Sequence, residues 1–77
     1  MLIRSQDKEK LTDDMNLYID DWETENHFSI CNSKMDMLGV YSTKEKAIGV
    51  LDDIYQAHRN LQFTDGITYQ MPQDSEV

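Results

Sequence analysis

One cysteine, one proline and three glycines in 77 residues leave this chain without staples and with little backbone punctuation. Cys31 has no internal partner, and there is no Cys-x-x-Cys or His/Cys cluster, so neither a disulfide framework nor a structural zinc site can be built. A reducing cytosol is the expected setting. Three scattered glycines cannot form a phosphate-cradling loop. Cations are scarce as well: 7 Lys+Arg stand against 15 Asp+Glu, giving a formal net charge of −8 and a pI near 4.4. That balance argues against direct binding to a nucleic-acid backbone, which needs dense positive charge. No stretch approaches the roughly 18 apolar residues of a membrane span, and "MLIRSQDKEK" turns polar at Arg4, so neither a leader nor a membrane segment is expected.

What is present is enough apolar residue, 39% of the chain, for one small core. A domain of this size buries only roughly 60% of the surface of its unfolded chain, so its core is marginal and a homodimer is expected. Residues 1–72 read as a single domain and 73–77 as a flexible polar tail.

The hydrophobic pattern predicts an α+β fold. "LIRS" (2–5) is a short strand, followed by a charged connection. "NLYIDDWE" (16–23) places Leu17 and Ile19 two apart and then breaks phase at Trp22, which reads as a bulge or strand end. "HFSIC" (27–31) alternates Phe28 and Ile30 against Ser29 and Cys31. "MLGVYS" (37–42) puts Leu38 and Val40 on one face and Met37, Gly39 and Tyr41 on the other. The pattern is a meander, leading to an antiparallel sheet of about four strands. Ser42 with Glu45 has capping-box spacing and opens a helix over about 43–59, whose stripe is Ala47, Leu51, Ile54 and His58, widened by Ile48 and Tyr55. Gly49 within it suggests a close approach to the sheet. Asp65-Gly66 then signals a short C-terminal hairpin. The expected core is Leu17, Ile19, Phe28, Ile30, Leu38, Val40, Ala47, Leu51 and Ile54, with Trp22 and Phe63, while Tyr18, Tyr41 and Tyr69 are expected half exposed.

No catalytic pattern emerges. His27, His58 and Cys31 are the side chains suited to proton transfer or nucleophilic attack near neutral pH. They lack a Gly-rich oxyanion turn and a third orienting residue, so the chain is not expected to be an enzyme. No cofactor is implied. The acids Asp13, Asp14, Asp20, Asp21, Glu23 and Glu25 fall between residues 11 and 27 without one Lys or Arg. Such a run is either a solvated face or a docking patch for a basic partner. It lacks the EF-hand ligand spacing, and strand pleating sends Asp20 and Asp21 to opposite faces, so no metal site is expected.

Three pieces, "MLIRSQDKEKL", "LGVYSTKEKAIGVLDDI" and "YQMP", resemble a group of small, mostly uncharacterised proteins encoded by phages, prophages and mobile elements of Gram-positive bacteria. The resemblance spans about half the chain and implies an accessory protein of the host-cell cytoplasm. It makes Arg4, Ser5, Gln6 and Asp7, with Tyr69, Gln70, Met71 and Pro72, candidates for a shared structural or binding role. Of these, Arg4, Gln6, Tyr69 and Met71 join the acidic run as candidate partner-binding residues. Two functions compete. In one, the protein binds and modulates a host protein with a basic surface, such as a factor of antiviral defence. In the other, an oligomer binds a small nucleotide-type signal, with phosphate contacts at the Arg4 and Lys8 end.

Overall fold

The computed structural model describes residues 2–22, 27–60 and 68–77, the side chains of residues 22 and 60 aside. Among the described residues its architecture is α+β, with one α-helix and two three-stranded sheets. The expected single sheet of about four strands is thus divided, and the reason lies in how the two ends of the chain pair.

The first sheet is the predicted meander. β1 (Leu2–Arg4) and β2 (Leu11–Thr12) precede it, and β3 (Leu17–Trp22), β4 (His27–Asn32) and β5 (Met37–Tyr41) form it, antiparallel in the order β3-β4-β5. The register between β3 and β4 runs unbroken from Leu17 opposite Asn32 to Trp22 opposite His27, so the slip expected at Trp22 is absent from the pairing. The irregularity lies elsewhere: Ile30 faces Gly39 but Cys31 faces Met37, which leaves Leu38 as an extra residue in β5.

That bulge decides which side chains enter the core. With strict alternation, Tyr41 would lie opposite Leu38 and Val40. Past the bulge, however, Tyr41 pairs with Phe28 on the inner face and Val40 pairs with Ser29 on the outer one. Leu38 and Tyr41 are both 1% exposed, while Val40 is half-buried and outside the core. Gly39 is required for space. A Cβ there would lie 3.0 Å from the Tyr41 hydroxyl and 3.2 Å from the Met71 methyl.

α1 (Lys44–Asn60) covers the inner face of the meander. Its cap is Thr43, whose Oγ1 accepts the Lys46 N–H at 3.1 Å, one residue later than the predicted Ser42. Ser42 is engaged otherwise, donating its N–H to Asp74 Oδ1 at 2.7 Å. The buried helix positions are Ala47, Val50 and Ile54, with Leu51 at their edge. The stripe is therefore turned toward Val50, leaving Ile48 and Tyr55 exposed. Gly49 is exposed too, with nothing within 4 Å of where a Cβ would sit, so close packing is not its reason.

The second sheet joins the chain's two ends. β6 (Thr68–Gln70) pairs parallel with β1, Ile3 facing Tyr69, while β2 pairs antiparallel on the other side, Ile3 facing Thr12. The Asp65-Gly66 turn, Phe63 and Ile67 lie outside the described residues. The described arm of the expected C-terminal hairpin, β6, has β1 as its partner. Ile3 at 0% and Met71 at 1% exposure complete the core with Ile30, Leu38, Tyr41, Ala47, Val50 and Ile54.

Polar side chains lock the junction between the sheets. Gln6 accepts the Val40 N–H at 3.0 Å and donates to the carbonyls of Val40 and Pro72, each at 3.1 Å. Tyr41 Oη donates to the same Pro72 carbonyl at 2.8 Å, and Gln70 Nε2 donates to Ser5 O at 2.9 Å. Residues 73–77, expected as a tail, carry a 3-10 turn at Asp74–Glu76. Gln73 Nε2 donates to Gln6 O at 2.8 Å, and Lys46 Nζ lies 3.6 Å from Asp74 Oδ2.

Candidate functional site

The acidic run divides into structural and solvent-facing members. Asp14, 8% exposed, is built into the connection between β2 and β3. Its carboxylate accepts the Ser33 hydroxyl and, at 3.0 Å, the Asn16 N–H; these bonds, the Ser33 one foremost, hold its pKa below the ordinary Asp value. Asn32, 0% exposed, extends the lock by donating to Asp36 Oδ2 at 3.2 Å and accepting the N–H groups of Lys34 and Asp36. Asp13, Asp20 and Asp21 are exposed, and Glu23 and Glu25 lie outside the described residues.

Pairing fixes where the exposed acids point. Asp20 lies opposite Ser29, which lies opposite Val40, so Asp20 belongs to the outer face of the meander. Asp21 lies opposite Phe28 on the other side. The outer face also carries Tyr18 at 43% and Met37 at 40% exposure, with the small residues Ser29 and Cys31 forming a covered floor between them. The Tyr18 hydroxyl has its pKa raised by burial of its ring edge first, then by Cys31 and Asp20, so the phenol stays neutral at physiological pH. At one end of this face, Met35 tops the β4–β5 turn at φ 64° and 82% exposure.

The residues at the chain's ends behave differently. Met71 is a core side chain at 1% exposure, and so has no surface to offer a partner, contrary to its place among the expected contact residues. Gln6 spends both ends of its amide on the backbone bonds described above, which makes it a fastener of the fold. Tyr69 is half-buried and donates to Asp53 Oδ2 at 2.6 Å; burial, and then Asp53, push its pKa up. Arg4 alone of the four is exposed, its Nε donating to Lys8 O at 3.3 Å. Met71 was missed as core because the β1 segment it packs beside is distant in sequence, whereas Tyr69 is half-buried, close to the half exposure expected of it.

His27 and Cys31 are four residues apart on one strand, about 13 Å at strand rise, beyond hydrogen-bonding reach. The Cys31 thiol lies 3.7 Å from Ser29 Oγ, within the sheet. Among the described residues, no three His, Cys, Asp or Glu side chains gather closely enough to hold a metal ion. No helix among them is long and apolar enough to cross a membrane. No protein-family model, curated protein or solved structure matches the chain.

Proposed function

We propose that this is a non-enzymatic accessory protein of a phage or prophage, which binds a host protein and alters its activity through the outer face of the meander. The observation that carries this reading is an outer sheet face presenting Tyr18, at 43% exposure, beside Asp20 on a chain of net charge −8. A flat face with a half-exposed tyrosine and adaptable methionines is the kind of surface that supplies the centre of a protein interface. Asp20 on this face, together with the exposed Asp13 and Asp21 elsewhere on the molecule, contributes a negative field, which steers encounter with a basic surface.

The test replaces Asp20, Asp21 and Glu23 with lysine and compares capture of host proteins, and their association rates, with the unaltered chain. Loss of a basic partner, with an on-rate penalty that shrinks as salt rises, supports the reading. Sedimentation of the purified protein separates this from occupation of the same face by a second copy, the expected homodimer. Equal retention of the same partner by the triple lysine variant would make the acids a solvated surface only.

A further inference from the structure

We propose that the cavity between the β1–β2 turn and β6 is a binding site for a small phosphate-bearing ligand, with a nucleoside diphosphate as the class that fits it. The cavity, about 450 Å³, is lined by Arg4, Lys8, Glu9, Lys10, Leu11 and Thr68. That volume lies within the range of small-ligand sites. Three of the chain's seven cations stand around it with one carboxylate, a local balance of +2 (three minus one) on a molecule of net charge −8. Among the described residues, none of the three is within ion-pair distance of an acid; the ion pair found there is Lys46 with Asp74. The nearby Asp7 lines a different hollow, with Gln6 and β5; it accepts the Ser5 hydroxyl and the Glu9 N–H, and it shares the field of Lys10, whose charge helps to lower its pKa.

The loop that carries these cations is stiff. Ser5 N–H donates to Lys10 O, Lys8 N–H to Ser5 O and Lys10 N–H to Ser5 Oγ, each at 2.9 Å. Arg4 Nε is tied to Lys8 O, which fixes the guanidinium across the turn while its terminal nitrogens remain for a second acceptor. Lys8 itself sits at φ 67°, a left-handed conformation normally given to Gly or Asn. The turn is thus ordered by its own hydrogen bonds, which lowers the cost of presenting its cations to an anion.

The apolar side chain beside the cations selects what accompanies the phosphate. Arg4 pairs with Leu11 on β2, so both lie on the outer face of the second sheet, where Leu11 is 60% exposed. An apolar side chain beside clustered cations suits a base or sugar attached to a diphosphate. A long polyanion is disfavoured, because past the small cation patch it runs over a molecule of net charge −8. This inference stands apart from the acidic-face reading: either can fail alone.

The experiment titrates the full chain with ADP, inorganic pyrophosphate and a short polyglutamate peptide, followed by backbone amide NMR and calorimetry. The expected result is saturable binding of ADP and pyrophosphate, with shifts confined to residues 4, 8–11 and 68, and tighter binding of ADP. Arg4→Gln with Lys10→Gln should weaken both by at least about tenfold, the loss of one or two charge-assisted hydrogen bonds. Lys34→Gln, on the β4–β5 turn and outside the cavity's lining, should leave them unchanged. An intact amide spectrum of the double variant guards against misfolding. Absence of shifts at about 10 mM probe, equal affinity in the double variant, or tighter binding of the peptide than of ADP would each overturn the proposal.

Discussion

The two sheets of this protein are built by opposite means. The meander β3-β4-β5 links neighbours in sequence through short connections, and every pairing in it is local. The sheet β2-β1-β6 instead brings the first strand beside the last in parallel, closed by side chains of Gln6, Tyr41, Gln70 and Gln73. The difference teaches that in so small a domain the ends act as structural members. They supply Ile3 and Met71 to the same core that the helix and meander share.

The strongest way to break that comparison is to empty the core from each side. Ile3 at 0% and Ile54 at 2% exposure are equally deep, one in the end-to-end sheet and one on the helix. Ile3→Ala and Ile54→Ala should each cost about 2–5 kcal/mol, enough to unfold a large share of the molecules. Urea denaturation followed separately by tryptophan fluorescence and far-ultraviolet circular dichroism checks it. If Ile3→Ala were mild, or loosened the ends while the meander unfolded at its original midpoint, the second sheet would be an appendage.

A smaller effect sharpens the comparison at the junction. Tyr41 is buried and bonded to Pro72, and burial first, then Asp74 and Glu76, raises its pKa above the ordinary tyrosine value of 10.0. The neutral phenol is therefore favoured in the folded state. Its contribution is fully present below pH 10 and declines as pH rises through the folded pKa, because the unfolded chain releases the proton first. Tyr41→Phe should cost about 1 kcal/mol at pH 7 and flatten the alkaline loss of stability. Tyr69, shifted in the same direction, leaves part of that loss in place. An alkaline unfolding curve of unchanged steepness in Tyr41→Phe would deny the junction this role.

What was legible in the sequence follows the same divide. Alternation in "HFSIC" and the cap-and-stripe pattern after Ser42 located β4 and α1, since local spacing encodes both. Tyr41 was misassigned because a bulge at Leu38 shifts the phase without leaving a mark in residue type. Ile3 and Met71 escaped because parallel pairing of distant segments has no sequence period. The same holds for function: the acidic run is visible as composition, but only the fold separates the fastened Asp14 from the exposed Asp20. The gathering of Arg4, Lys8 and Lys10 about one cavity needed the turn geometry as well.

The smallest expected effect concerns a glycine that has open space where its side chain would be. Gly49 occupies the interior of α1, where glycine costs roughly 0.5–1 kcal/mol relative to alanine through backbone entropy. Gly39 in the meander justifies its lack of a side chain by the 3.0 Å that a Cβ would leave to Tyr41, whereas Gly49 meets nothing within 4 Å. Gly49→Ala should therefore raise stability by about 0.5–1 kcal/mol, seen as a higher urea midpoint at unchanged slope. A methyl group here also narrows the cavity of about 400 Å³ that Gly49 and Val50 share with Pro72 and Val77. If the variant were less stable than the parent, the helix would need that glycine for a contact with a segment or partner that packs against it.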